Sequence, residues 1–315
     1  MDVSVVIPTR DRPEFLALTL RTALWQQDVD SEVIVVDDGS ESGTAAVVRQ
    51  LADSRVRLLR NTGPPGVAGA RNCGIGAAMG RWIAFLDDDD LWAPRKLTMQ
   101  LAAATANRAV WVYAGDVSVD EELRVCSGAP PAPPEQVVAD LRRHNAVPAG
   151  ASNVVVGREV LESVGGFDTA LRTSEDWDLW LRLAATDLPT CVPRPLVALR
   201  THPGMASRAV TQVLADVEVV AARHQIPVDR ARHQRWAAWM SLQNGQRRVA
   251  LRHYAAAVRA GDLASIARAT VALVYPRVTR RSRSPMDAWG TEAQTWLDAL
   301  RPRSSDQPLA ESTAR

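Results

Sequence analysis

The residues best suited to chemistry are carboxylates, and four of them are consecutive: Asp87, Asp88, Asp89 and Asp90. Two unit charges about 4 Å apart repel by roughly 4 kcal/mol at an effective dielectric of about 20, so a bare quartet is costly. A divalent cation relieves that repulsion. Mg²⁺ typically takes one or two protein carboxylates and completes its shell with phosphate oxygens and water. The plainer alternative is a solvated acidic loop. A second pair, Asp37-Asp38, precedes Gly39-Ser40. Alone such a run reads as a turn with a helix cap, but a carboxylate there can also accept from a nucleobase N–H or a ribose hydroxyl. Arg71, in Gly69-Ala70-Arg71-Asn72-Cys73-Gly74, is suited to a base or phosphate contact, with an ordinary surface arginine as its alternative. Glu175 and Asp176 follow Ser174 at the start of an amphipathic run. Acidic residues there complement a helix dipole. Adjacent Glu175 and the apolar Trp177 and Trp180 push the Asp176 pKa up, while a helix amino terminus pushes it down.

The elements that must position these groups alternate in type. Residues 3–7, 33–36, 56–59 and 82–86 are apolar, strand-like runs, and residues 13–26, 44–51 and 70–79 carry apolar side chains near helical spacing. This alternation predicts an α/β fold, a mainly parallel sheet covered by helices. In such sheets ligands bind beyond the carboxyl ends of the strands, where the polar clusters 8–12, 37–40 and 87–90 stand. The proline-rich stretch 129–134 reads as an exposed connection. Beyond it, strands are expected at 154–156 and 191–199 and helices at 159–164 and 175–184. From about residue 206 the pattern is helical, at 212–223, 228–242, 247–260 and 263–274. After Pro276 an Arg-, Ser- and Pro-rich composition predicts a tail, disordered from about residue 301. The expected organisation is a catalytic domain over 1–205, a helical region over 206–276 and a tail over 277–315.

Composition excludes several classes. With 37 basic and 36 acidic residues the net charge is +1, so no global field selects nucleic acid as a partner. Lys96 is the sole lysine. Cys73, Cys126 and Cys191 are odd in number and lack metal-ligand spacing, and the first residues lack a signal-peptide pattern, so a cytoplasmic setting is expected. The apolar stretch 264–275 is interrupted by Arg268 and too short to cross a bilayer. Peripheral contact at the inner face of a membrane stays open; the run Arg277-Val278-Thr279-Arg280-Arg281-Ser282-Arg283 suits an acidic surface. Gly74, Gly76 and Gly80 miss the dinucleotide-binding spacing, and no phosphate-cradling P-loop sequence occurs.

In order and spacing, the motifs match one family. The sequence resembles the family 2 glycosyltransferases, which have the GT-A fold. The resemblance runs through Val5-Val6-Ile7-Pro8-Thr9, Val35-Val36-Asp37-Asp38-Gly39-Ser40 and Ala70-Arg71-Asn72-Cys73-Gly74-Ile75. It continues in Phe85-Leu86-Asp87-Asp88-Asp89-Asp90-Leu91-Trp92, Val164-Gly165-Gly166-Phe167-Asp168 and Ser174-Glu175-Asp176-Trp177-Asp178, and covers roughly residues 2–205. It implies that Pro8, Thr9 and Arg10 line a nucleotide pocket, that Asp38 accepts from the base, and that Arg71 lies by the base. Asp87-Asp88-Asp89 is similar to the family's Asp-x-Asp motif. Asp87 would then lie by the ribose, Asp88 between, and Asp89 on a Mg²⁺ or Mn²⁺ ion bridging the diphosphate. Asp176, beside Glu175, matches the catalytic base, and His202 stands where a histidine approaches metal or diphosphate.

The implied activity is inverting transfer of a sugar from a nucleoside diphosphate sugar, of the UDP class, to a hydroxyl or amine. The acceptor would be a glycan, a lipid-linked molecule or a small molecule. Two other readings are weighed. One is a dehalogenase-type phosphatase, for which Asp87-x-Asp89 follows a strand but Leu91 replaces the preferred Thr or Val. The other is a nucleotide-sugar-binding or receiver-like protein without turnover, whose receiver form would need Lys96 at the acidic site. A homodimer stays open.

Overall fold

In a computed structural model of the chain, the structure describes residues 1–41, 43–202, 209–274 and 287–301. The first half alternates as expected: β1 (Val3–Thr9), α1 (Pro13–Leu24), β2 (Ser31–Asp37), α2 (Thr44–Leu51), β3 (Val56–Arg60), α3 (Val67–Ala77) and β4 (Trp82–Phe85). There follow β5 (Asp90–Trp92), α4 (Lys96–Asn107), β6 (Trp111–Val119), β7 (Val125–Ala129), α5 (Pro134–Leu141), a 3₁₀ turn (Gly150–Asn153), β8 (Val155–Gly157), α6 (Arg158–Ser163), α7 (Glu175–Ala184) and β9 (Thr190–Arg200). The helices α8 (Val210–His224), α9 (Arg230–Gln243), α10 (Arg247–Arg259), α11 (Ala264–Val274) and α12 (Ala288–Asp298) complete the described chain.

One sheet runs β3-β2-β1-β4-β8-β6-β9-β5, with β7 on β6. The four strands from β3 to β4 are parallel. Beyond them β8 is antiparallel to both β4 and β6, β9 is parallel to β6, and β5 is antiparallel to β9. The architecture is therefore a mixed α/β sheet with flanking helices. Both faces are covered because successive strand residues point to opposite sides. Val6, Ile34 and Val36 enter one core with Trp111, Trp177 and Trp180, while Val5, Ile7, Val33 and Val35 enter the other with Leu16, Trp92 and Leu97.

Three features depart from the sequence reading. Asp90 does not stay in a loop: it opens β5, pairing with Leu199, and is buried. The proline-rich stretch 129–134 joins β7 to α5, two elements absent from the sequence reading. The tail assigned to 277–315 contains α12, which is docked on the sheet. Trp289 Nε1 donates to the Asp116 carbonyl at 3.1 Å, Trp296 Nε1 to the Pro195 carbonyl at 3.1 Å, and Ala293 and Leu297 are fully buried. A Cβ at Gly115 would lie 2.2 Å from the Trp289 ring, so the helix approaches β6 where only glycine leaves room. The 289, 293, 296, 297 spacing carries this helix, but the Arg/Ser/Pro bias on either side obscures it. The arginine run 277–283 and the last residues, 302–315, lie outside the described residues.

Candidate active site

Parallel pairing of β1 with β2 and β4 sets Thr9 beside Asp37 and Val6 beside Phe85, so the residues that follow emerge at one edge. They open on a cavity of about 750 Å³, a size suited to a ligand the bulk of a nucleotide. The cavity brings together Pro8, Thr9, Arg10, Asp38, Arg71, Asp87, Asp88, Asp89, Glu175 and Asp176. His202 is outside its lining but touches Asp89.

The aspartate quartet is four environments rather than one cluster of bare charges. Asp87 takes Arg71 Nη2 on Oδ1 at 2.5 Å, and its backbone N–H donates to Ser152 Oγ at 3.0 Å. Asp88 is buried, accepting from Thr9 Oγ1 at 2.7 Å and Arg12 Nη1 at 3.2 Å. Burial first, and then the neighbouring Asp89 charge, push its carboxyl up to about 6. Burial also acts upward on Asp89, but its contact with His202 and the charges of Arg12 and Arg200 outweigh it and hold this carboxyl below its usual range. Asp89 Oδ2 lies 2.8 Å from His202 Nε2 and 2.9 Å from Arg12 Nη1. Asp90 accepts from Ser152 Oγ, and its burial, with the Asp89 and Asp87 charges, drives its pKa well up. Arg200 ties the turn down, donating from Nε to the Asp89 carbonyl and from Nη2 to the Phe15 carbonyl at 2.9 Å. Repulsion is thus relieved by three arginines, and burial pushes Asp90 toward its neutral form, a part of the balance that spacing alone does not reveal.

Asp89 and His202, both buried or nearly so, are the residues that could hold a divalent cation, which would have to replace the hydrogen bond between Asp89 Oδ2 and His202 Nε2. No group of three or more His, Cys, Asp or Glu side chains is placed to hold a metal among the described residues. A metal here therefore depends on ligand phosphate oxygens and water for the rest of its shell, the habit of Mg²⁺ in phosphate sites.

Arg71 is 2% exposed, and its guanidinium is held between two acidic segments. Nη1 donates to Glu175 Oε1 at 2.6 Å, Nη2 to Asp87, and the group lies 5.1 Å over the Phe167 ring. It clamps the end of β4 to the start of α7, and both terminal nitrogens are committed to protein carboxylates. Arg71 lies in the cavity wall, and these two carboxylates fix its position there. Asp38 is oriented by Asn61 Nδ2 at 2.6 Å and the Gly66 N–H at 2.8 Å. The exposed Arg10 approaches Asp38 to 4.0 Å.

Ser174 has φ 59°, a left-handed turn that starts α7 and presents Glu175 and Asp176 in its first turn. Asp176 Oδ1 accepts from the Trp177 N–H at 2.7 Å and Oδ2 from Asn145 Nδ2 at 2.8 Å. Gly150 has φ +50°, and a Cβ there would come within 2.8 Å of Asp176 Oδ2, so backbone crowds this carboxylate as no larger residue would allow. Burial raises the Asp176 pKa; Arg71 and its two hydrogen bonds oppose the rise without cancelling it. Glu175 is pushed up to about 7 by burial and by the Asp176 charge, against the pull of Arg71. The opposing influences read from sequence therefore resolve upward. The pair titrates as a unit. An activity that needs Asp176 ionised should fall as pH drops, with an acid limb above the ordinary carboxylate range. Glu175→Gln leaves Asp176 beside a neutral group, the state that Glu175 itself reaches on protonation, and should keep that acid limb in place, as read in a kcat/KM profile.

Sequence reasoning missed Arg12 as a partner of Asp88 and Asp89, Ser152 as the link between Asp87 and Asp90, and Asn145 on Asp176. Arg12 stood in the 8–12 cluster and was recoverable; Ser152 and Asn145 sit in segments with no motif. Val213 and Val217 of α8 and Arg232, His233 and Trp236 of α9 line the same cavity, so the helical region contributes to its wall. Asp216 of α8 takes the N–H groups of Arg172 and Thr173 at 3.2 and 2.8 Å, fixing the loop before α7. Asp178, fully buried, accepts from Arg182 at 2.7 Å and Arg223 at 2.9 Å and lies 2.9 Å from His224. Asp178→Ala strands these partners and should cost about 3–5 kcal/mol in denaturant-unfolding free energy. Lys96 is fully buried, donating to Gln100 Oε1 at 2.7 Å and lying 4.0 Å over Trp92. It is spent in the core, so the receiver-like reading loses its lysine.

Comparison with known proteins agrees with this geometry. Residues 4–164 match the Glycosyl transferase family 2 model. The Escherichia coli UDP-Glc:alpha-D-GlcNAc-diphosphoundecaprenol beta-1,3-glucosyltransferase WfgD is 32% identical over 181 residues, which is 58% of this chain and 69% of that protein. The succinoglycan biosynthesis protein ExoO of Rhizobium meliloti is 39% identical over 194 residues, 56% of this chain and 54% of that one. Among solved structures, S. aureus TarS 1-349 in complex with UDP-GlcNAc superposes with a TM-score of 0.59 at 15% identity, covering 96% of this chain and 93% of that one. The Pyrobaculum calidifontis mannosyltransferase PcManGT, in complex with GDP-Man and Mn²⁺, gives 0.53 at 21% identity, covering 95% and 85%. These structural likenesses bear on the fold; the sequence match over half the chain decides the family, and this chain is a glycosyltransferase belonging to glycosyl transferase family 2.

Proposed function

We propose that the chain transfers a sugar from a UDP-sugar to an acceptor hydroxyl with inversion, using Asp176 as general base and a divalent cation held at Asp89 and His202. The observation that carries this reading is the convergence on one cavity of Asp176, its pKa raised, and Asp89, its pKa lowered. Two carboxylates in opposed environments suit two roles. Asp176 takes the acceptor proton as the acceptor oxygen bonds to the anomeric carbon, and the bond to the diphosphate breaks with its electron pair on the leaving oxygen. A bound cation would offset the charge gathering on that diphosphate. Thr9 and Arg12 hold Asp88, Arg71 holds Asp87 and Glu175, and Asp38 with Arg10 forms the base and ribose end.

The cavity lining also includes Arg172, Arg232, His233 and Trp236. Two arginines and an indole suit an acceptor that carries a phosphate group on an apolar carrier. The activity in the name of WfgD, glucosyl transfer to GlcNAc-diphosphoundecaprenol, supports a lipid-linked diphosphate acceptor. The test is a thermal-shift screen of UDP and GDP with and without Mn²⁺, followed by transfer from UDP-sugars to polyprenyl-diphosphate-linked GlcNAc with the product anomer read by NMR. A shift confined to UDP with Mn²⁺, and an inverted product, are expected. Equal stabilisation by GDP, or a retained anomer, would overturn the donor or the mechanism respectively.

A further inference from the structure

Charge is unevenly distributed along this chain. Residues 1–229 contain 22 basic and 30 acidic residues, whereas residues 230–274 contain eight arginines and one acidic residue, Asp262. The basic segment is α9 to α11. Part of its charge is neutralised: Asp262 pairs with Arg235 and Arg268, and Glu218 of α8 pairs with Arg230. On α10, Arg247, Arg248, Arg252 and Arg259 are exposed, and none has an ion pair among the described residues.

The adjoining helix reverses the usual amphipathic order. In α11 and the residue before it, Ser265 and Ala272 are buried, while Leu263 is 70%, Ile266 56% and Val271 45% exposed. Their spacing gathers the three large apolar side chains on one side of the helix. Only residues 260–263 separate α10 from α11, and the two pack together as an antiparallel pair. The exposed side of this hairpin thus combines an apolar stripe with uncompensated arginines, the composition of a helix that lies in a membrane interface.

We propose that the α10–α11 hairpin is a docking face for the surface of an anionic lipid bilayer. The arginines meet the anionic headgroups, and Leu263, Ile266 and Val271 enter the boundary between headgroups and acyl chains. The acidic remainder of the molecule is repelled by the same surface, which orients the protein with the hairpin toward lipid. A two-fold pair of this chain through the hairpin would set arginines against arginines, and a nucleic acid would leave the apolar stripe unused. This face is distinct from the transfer site and stands whether or not the donor and acceptor assignments hold.

The test is co-sedimentation of the full chain with sucrose-loaded vesicles of phosphatidylcholine alone or mixed with phosphatidylglycerol, at low and high salt. Binding confined to the mixed vesicles and weakened by salt is expected. Each basic residue at such a surface changes partitioning about fivefold, so Arg248→Gln/Arg252→Gln/Arg259→Gln should weaken it on the order of a hundredfold. Leu263→Ser/Ile266→Ser should weaken it by at least about tenfold. Both variants should keep the wild-type melting temperature and UDP binding, which shows that the loss is not unfolding. The proposal is overturned by equal binding to neutral vesicles, by no binding at all, or by full binding in both hairpin variants with loss only when Arg277, Arg280, Arg281 and Arg283 are changed to Gln. A salt-sensitive dimer that the hairpin variants abolish, with no vesicle binding, assigns the face to a second copy and equally overturns it.

Discussion

Asp176→Asn is expected to lower kcat by about 10²–10⁴-fold, the usual contribution of a positioned general base, while UDP affinity stays near wild type. The substitution keeps the volume: the amide oxygen can still accept from the Trp177 N–H, and the NH₂ meets Asn145, whose own amide must turn its oxygen to accept from it. What it removes is the proton acceptor. The measurement is steady-state transfer alongside titration of UDP into the same preparation. A fall in kcat with unchanged UDP binding assigns the residue to the chemical step; wild-type turnover shows that another group takes the proton. Acid pH should mimic the variant, because protonating the Glu175–Asp176 pair removes the same acceptor.

The second large effect is expected from Asp89→Ala. It deletes the oxygen that meets both His202 and Arg12 and with it the anionic half of the candidate cation site. A bound metal is worth several kcal/mol of charge stabilisation, so transfer should fall by at least about a thousandfold. Excess Mn²⁺ should not restore it. Asp90→Asn is the informative contrast. Asp90 is buried, bonded to Ser152 and driven toward its neutral form, so an amide changes little of the local charge and turnover should remain close to wild type.

The parallel half of the sheet was legible because β1 and β2 are buried on both faces and therefore read as unbroken apolar runs. The site motifs were legible for a related reason: residues at the ends of parallel strands converge at one edge regardless of sequence separation. Asp38 and Asp87 are such cases, whereas Asp176 enters from the first turn of α7. The roles inside the quartet were not legible, since adjacent aspartates share one composition and differ only in partners brought from residues 12, 152, 200 and 202. Arg71 shows the same limit. Its type and place suit a ligand contact, and the two carboxylates that hold it come from segments 16 and 104 residues away. The helical region was recognised as helix, but no periodicity states which face meets the cavity. Conversely α12, with its Trp289 and Trp296 anchors, carried a helical signal that compositional bias concealed.

The central claim is that Asp89 and His202 hold a divalent cation against the diphosphate of the donor. The most direct measurement is calorimetric titration of UDP into wild-type and Asp89→Ala protein, each with and without Mn²⁺. We expect Mn²⁺ to tighten UDP binding at least about tenfold in the wild type, a difference of about 1.4 kcal/mol, and to leave the variant unaffected. The same Mn²⁺-dependent gain in both proteins would contradict the assignment.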